Sequence, residues 1–390
     1  MIPNLRHARA SRHADPVRGI RRGFLSALLA VFFSVASVSQ GTSVVSAGSP
    51  GGATPAPATT PAPAAAPGPT AAPSPTAAPS PTAAPAFPAD LVAGPLSGSL
   101  ITPDAVSSAR PWYASRPAGH GRILSIGLPA PWTGGDRSIA TVDIYLPPGY
   151  DTGARRYPVV YEAPQSIRTW ETGFGFTSVL DSLITSGAMP PMIFVFGLAY
   201  GGPYDDSECA NAVDGREWFD RFMSSDVVRW VDQHLRTIPS AAARATLGFS
   251  QGGYCAAELV ANHSGIFASA MSFSGYFVAG IHSGTTPDAW RPFDNDPAVE
   301  YRISPMTVVP RIPASRRTGL FFVMASDADQ GFYGPQMKQF AGVLDSAGVP
   351  MAVIPTALGH SWEAARTLVP TMLELLAGRM VSLGVFAAAR

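Results

Sequence analysis

The chain has 390 residues, with 27 basic against 27 acidic side chains, so its formal charge is zero and only 14% of its residues are charged. All but one of the basic residues are arginine, Lys338 being the exception, and beyond the first 22 residues they form no patch, which leaves nucleic-acid binding without support. The length allows one large folded domain behind a segment that cannot fold.

That segment opens with Arg6, Arg9, Arg12, Arg18, Arg21 and Arg22 against a single Asp15, followed by an apolar run from Phe24 to Val38. Basic residues ahead of a run of about fifteen apolar ones are the n- and h-regions of an export signal, and the run is short against the roughly 20 residues of a membrane span. Residues 1–47 are therefore expected to be a signal peptide. Val45-Ser46-Ala47 supplies the small residues that a signal peptidase reads, so cleavage is expected after Ala47; an uncleaved segment would be the chain's only membrane contact. Arg21-Arg22-Gly23-Phe24-Leu25 also resembles the core of twin-arginine signals, against the plainer reading as a basic n-region. No cysteine lies nearby, which excludes a lipoprotein anchor.

Residues 48–95 are expected to be a disordered linker. Thirteen of the 39 prolines fall between Pro50 and Pro88 among Ala, Thr and Ser, and Thr70-Ala71-Ala72-Pro73-Ser74-Pro75 nearly repeats from Thr76 and again from Thr82. Such a stretch has nothing to bury and favours an extended, polyproline-like spacer. The folded domain then spans residues 96–390.

From about residue 120, apolar runs and helical patterns alternate. Arg122 to Leu128 and Ile139 to Leu146 read as an antiparallel strand pair closed by Pro147-Pro148-Gly149-Tyr150. Tyr157 to Glu162 and Met192 to Leu198 are short β-branched runs suited to strands buried on both faces, with a helix at Phe176 to Ser186 between them. Phe219, Phe222, Met223, Val227, Trp230, Val231 and Leu235 recur at three and four residues and predict a helix from Glu217 to Leu235 whose aromatics are core. A strand at Ala243 to Phe249, a helix from Gln251 to Asn262 and a strand at Ala268 to Phe273 follow. The pattern closes with strands at Gly319 to Ala325 and Met351 to Pro355, a helix from Gly334 to Ala347 between them, and a last helix from Ser361 to Arg379 kinked at Pro370. Strands separated by helices imply an α/β fold: a mostly parallel sheet with helices on both faces and an antiparallel N-terminal pair, binding ligands outside the carboxyl ends of its strands.

At one such end stands Gly248-Phe249-Ser250-Gln251-Gly252, a G-x-S-x-G sequence between a strand and a helix. A sharp turn there projects the serine hydroxyl, and the glycines leave room for it. A serine hydroxyl is a poor nucleophile at neutral pH and needs a histidine base oriented by a carboxylate. Among seven histidines, His7 and His13 lie in the export segment and His120 before the first strand; His234 suits a helix end, His263 a cap, and His282 a loop. His360, between the last strand and the last helix, is placed to face Ser250. The acid is expected just after the preceding strand, where Asp327 and Asp329 compete and Asp329 is preferred. The oxyanion of a tetrahedral intermediate needs backbone N–H donors. Gln251 supplies one by its position, and the loop after Glu162 the other, at Gln165 or Ser166. No metal or cofactor signature is present, and this chemistry requires none.

Cys209 and Cys255, the two cysteines of an exported chain, read as one structural disulfide against the alternative of two buried thiols. Such a bond ties the loop before the long helix to the elbow helix.

Together these residues resemble the putative-esterase family of α/β-hydrolases, which holds esterase D-type enzymes and the antigen 85 mycolyltransferases of actinobacteria. Val142 to Tyr150 with Arg156 to Tyr161 is similar to that family's entry strands, Leu247 to Tyr254 to its elbow, Met271 to Gly275 to the strand after it, and Gly359-His360-Ser361-Trp362 to its base loop. Asp205 to Cys209 with Gly252 to Cys255 resembles secreted actinobacterial members. The resemblance implies Ser250 and His360 as catalytic residues, with Asp329 or Asp327 as the acid. One departure stands out: where many members carry His-Gly after the oxyanion strand, this chain has Glu162-Ala163-Pro164-Gln165.

The expected function is a secreted or envelope-associated serine esterase that takes acyl esters. Two alternatives remain open: an acyltransferase that passes the acyl group to an envelope lipid or a sugar, and a non-catalytic wall-binding protein on the same scaffold.

Overall fold

The computed structural model describes residues 117–131, 139–197, 204, 207–279, 291–327 and 331–386. The expected signal peptide at 1–47 and linker at 48–95 lie outside the described residues, as does Asp329.

Eight strands form one sheet: β1 Arg122–Pro129, β2 Ile139–Leu146, β3 Val159–Glu162, β4 Ile193–Phe196, β5 Arg244–Phe249, β6 Ser269–Phe273, β7 Phe321–Asp327 and β8 Met351–Thr356. Their order is β1-β2-β4-β3-β5-β6-β7-β8. β2 runs antiparallel to both β1 and β4, and every other pairing is parallel. The residues explain the division. β3 (VVYE), β4 (IFVF) and β6 (SAMSF) are buried along their whole lengths, as strands covered on both faces must be, whereas β1 keeps most of its residues partly or fully exposed at the edge.

The pleat sends alternate side chains to two separate cores. Val159, Tyr161, Ala270 and Phe322 enter one, and Val160, Met271, Phe321 and Val323 the other. The second core is closed by α1 (Ile167–Phe174) and α2 (Phe176–Ser186), and by the C-terminal helix α9 (Trp362–Ser382). The first is closed by α3 (Phe219–Arg221, then a π-helical turn Phe222–Val227, then Val228–His234), α4 (Gln251–Asn262) and α8 (Tyr333–Ser346). Between β6 and β7 run the short helices α5 (Pro297–Ile303), α6 (Pro305–Val308) and α7 (Ala314–Arg317).

Most predicted elements are present within one to three residues of their expected ends. Two differences have local causes. α1 was not expected, because Thr169, Thr172 and Gly173 are poor helix formers. It forms because Ser166 caps its N-terminus through Thr169 N–H and Gly175, at φ 70°, ends it within eight residues. The long helix keeps its spacing of apolar residues but carries a π-helical turn at Phe222–Val227, where Phe222, Met223 and Val227 remain buried.

Cys209 and Cys255 form a disulfide, with Cα atoms 5.6 Å apart, joining the loop after β4 to α4. The bond closes a loop of 46 residues in separation. In the chain-entropy account, removing it costs about 4 kcal/mol. A Cys209→Ser, Cys255→Ser double variant is expected to lose that much in urea unfolding, with the elbow helix it anchors affected first.

Candidate active site

β5 ends at Phe249 and α4 begins at Gln251, so Ser250 alone makes the turn. Its backbone lies at φ 60°, ψ −121°, a conformation that L-residues rarely adopt. The surroundings hold it there: Ser250 N–H donates to Phe273 O at 2.9 Å, at the end of β6, and Ser250 O accepts from Gly253 N–H at 2.9 Å and Tyr254 N–H at 3.2 Å. Ser250 is half-buried, and Gln251 opens the first turn of α4 beside it.

The turn depends on glycine at one place above all. A Cβ on Gly248 would lie 1.9 Å from Gly252 O, so strand and helix touch through bare backbone. Gly248→Ala is accordingly expected to cost about 3 kcal/mol or more, because backbone rather than a flexible side chain must move. Soluble yield and the thermal midpoint read this loss directly.

His360 sits in the loop from β8 to α9, and that loop is pinned on both sides of it. Before it, Gly359, at φ 72°, donates its N–H to Asp327 Oδ2 at 2.8 Å. After it, Ser361 caps α9 by accepting from Ala364 N–H at 3.2 Å. The imidazole lies between two aromatic rings, Tyr333 at 4.1 Å and 2° and Phe249 at 4.6 Å and 25°. Two rings so close and so nearly parallel to an imidazole fit only on opposite faces of it. Phe249 is the residue before Ser250, so the loop that carries His360 packs directly on the turn at Ser250. Trp362 extends this floor, 4.7 Å from Phe249 and 5.3 Å from Trp170.

Asp327 ends β7 beside β8, where its register partner is Thr356. Its hydrogen bond to Gly359 gives it a part in shaping the loop that carries His360. Of the second-donor candidates, Ser166 uses its hydroxyl as the cap of α1, and the backbone N–H of Gln165 turns toward the buried carboxyl of Glu162. Gln165 Oε1 is buried without a hydrogen-bond partner.

The other described histidines are engaged elsewhere. His234 Nδ1 lies 2.8 Å from Trp230 O, His263 closes α4 and pairs with Asp220, and His120 pairs with Asp181. Among the described residues no group of three or more His, Cys, Asp or Glu is placed to hold a metal ion.

Glu162 is the residue that sequence reasoning missed. It ends β3 next to β5, in register with Leu247, and is 1% exposed. Burial pushes its carboxyl well above the usual carboxylate range, against the pull of the Trp170 and Gln165 N–H groups. Those two donors face it without completing a hydrogen bond: both carboxylate oxygens and Trp170 Nε1 are buried and unpartnered. The signal in the sequence is the Glu162-Ala163 pair, which stands where many members of the resembling family carry His-Gly.

Residues 137–316 match the profile of the family described as Putative esterase. Two proteins named as esterases, from two strains of Mycobacterium tuberculosis, are each 32% identical over 139 residues, or 34% of this chain. The chain spans only about 28% of the length of these relatives. Among solved structures, a ferulic acid esterase superposes with a TM-score of 0.58 at 18% identity, covering 67% of this chain and 98% of its own. An S-formylglutathione hydrolase from Agrobacterium tumefaciens does so at 0.53 and 16%, covering 67% and 97%. A fluorophosphonate-binding serine hydrolase of Staphylococcus aureus does so at 0.53 and 15%, covering 66% and 99%. At these identities the structures establish the α/β-hydrolase fold.

Proposed function

We propose that this chain, whose residues 137–316 match the family described as Putative esterase, is a serine esterase acting on carboxylic esters, with Ser250 as nucleophile, His360 as base and Asp329 as the acid. The observation that carries this reading is Ser250 itself: a non-glycine residue held at φ 60° at the carboxyl end of a central strand and at the N-terminus of a helix. Strain of this kind is retained where the surrounding structure over-determines it, and it clusters at sites of chemistry.

In the proposed reaction, Ser250 Oγ adds to the ester carbonyl carbon as its proton passes to the imidazole of His360. The C–O bond to the alcohol then breaks, the alcohol leaves with that proton, and an acyl-serine remains. Water repeats the sequence and releases the carboxylic acid. The N–H of Gln251 and one from the Gln165-Ser166 loop receive the oxyanion. The sandwiched imidazole of His360 keeps one ring plane through both half-reactions.

The proposal also places the enzyme outside the cell, on the strength of the Arg-rich start and apolar run of residues 1–47. Its substrates are then acyl esters met at the envelope or beyond it. Intact-mass analysis of the protein incubated with a panel of acyl esters tests the activity. An acyl adduct that forms and decays in water supports hydrolysis. An adduct that persists in water and is discharged by a sugar makes the protein an acyltransferase. No adduct, together with no fluorophosphonate labelling of folded, oxidised protein, makes it a binding protein on a hydrolase scaffold.

A further inference from the structure

Glu162 plays no part in the reaction written above, yet it stands at the junction of the two segments that would hold the oxyanion. From its own strand, its backbone O accepts Gly197 N–H at 2.8 Å, which fixes the end of β3 against β4. From the loop, Gln165 N–H turns toward its carboxyl, and from α1 the Trp170 indole N–H does the same. On the side of the elbow helix, a Cβ on Gly252 would stand 3.6 Å from Glu162 Oε1 and 3.1 Å from Ala163 O. The carboxyl is therefore wedged between the first turn of α4 and the loop Ala163 to Ser166. No titratable or cationic side chain among the described residues acts on it; its surroundings are Trp170, the backbone at Gln165, Gly252 and Gly197, and the flanking strand residues Phe196 and Leu247.

We infer that Glu162 is a positioning residue for the oxyanion loop, acting as a neutral carboxylic acid that braces Gln165 and Ser166 against the elbow helix and releases them when it ionises. The physical reason is the cost of an unpaired buried charge. A carboxylate at this depth has no cation to pair with and no completed hydrogen bond, so the protonated form is the one the fold accommodates. On ionisation the group must draw in water or move, and the parts nearest to it are the loop and the first turn of α4. Trp170 spreads the disturbance, because its ring packs on Trp362, which packs on Phe249 beside His360.

The sign of the pH effect follows from the raised folded-state value of this acid. Its contribution to stability is fully present below the ordinary carboxylate range, where folded and unfolded forms are both protonated. It is lost as pH rises toward the folded value, because the unfolded chain releases the proton first. As pH rises above the ordinary carboxylate range, wild type is therefore expected to lose thermal stability, and with ionisation activity, more steeply than a variant with a permanently neutral side chain.

The inference rests on the serine esterase reading, and the test separates the two. Steady-state hydrolysis of p-nitrophenyl acetate and thermal midpoints are measured from pH 5 to pH 10 for wild type, Glu162→Gln and Glu162→Ala. Glu162→Gln, which keeps shape and neutrality, is expected to hold kcat within about threefold at the pH of maximal wild-type activity and to weaken the decline of kcat and thermal midpoint with rising pH. Glu162→Ala is expected to lower kcat on the order of 10- to 100-fold with KM changed less than about threefold, as loss of a transition-state donor does. If Glu162→Ala does not fold, the Glu162→Gln profile decides alone. A decline with rising pH in Glu162→Gln identical to that of wild type overturns the inference, as does a kcat for this variant as low as that of Glu162→Ala. Absence of any acyl adduct on wild type instead overturns the esterase reading beneath it.

Discussion

Ser250→Ala is expected to abolish the acyl adduct and to lower ester turnover on the order of 10⁴- to 10⁶-fold, the loss seen when the nucleophile of a serine triad is removed. The prediction is sharp because the substitution leaves the elbow intact. The bonds that hold the turn use the backbone of Ser250, its N–H to Phe273 O and its O to Gly253 and Tyr254, and none uses the hydroxyl. Alanine at φ 60° carries the same Cβ as serine, so the strain is unchanged. The variant should therefore match wild type in thermal midpoint, in the disulfide and in binding of a non-reactive ester analogue, while failing to acylate. Residual turnover near wild type would sink the proposed mechanism. A variant that is both inactive and unfolded would contradict the reading of the elbow as backbone-held, which the thermal midpoint reports separately.

The second large effect concerns the acid. Asp329→Asn is expected to lower kcat about 10⁴-fold, because an amide presents the wrong partner to the imidazole and stabilises the wrong tautomer. Asp327→Asn is expected to cost no more than about tenfold. The difference follows from what Asp327 already does: its Oδ2 accepts the Gly359 N–H and so shapes the turn that presents His360. An asparagine at 327 retains a carbonyl oxygen for that bond, so the loop should survive the substitution. The kinetics of the two variants, measured side by side with the same ester, decide between the candidates. A 10⁴-fold loss in Asp327→Asn with little change in Asp329→Asn would reverse the assignment.

The elements that were legible in sequence share a property: their signals are local. β2, α2 and α4 could be read to the residue because period and punctuation lie inside each segment, as with Phe176 to Ser186 between two glycines. The elbow was legible for the same reason, since strand, turn and helix are consecutive. α5, α6 and α7, between Pro297 and Arg317, were not foreseen, because helices of four to seven residues carry too few turns to show a period. The candidate site divides in the same way. Motif and order along the chain are what point to Ser250 and His360. The rings on either side of His360 come from Phe249 and Tyr333, far from it in sequence, and no spacing rule connects the three.

By itself, the sequence determined which residues alternate, where the chain turns, and that Gly248 and Gly252 must flank Ser250; each follows from propensity and sterics over a few neighbouring residues. It also determined that any disulfide within the chain must join Cys209 to Cys255, there being only two cysteines. Only the tertiary structure decided that β2 pairs with β4 rather than β3, that Asp327 anchors Gly359, and that Glu162 is buried. Those outcomes depend on which faces the packed sheet and helices remove from water. A carboxyl group's charge state is set by that removal, not by its neighbours in the chain.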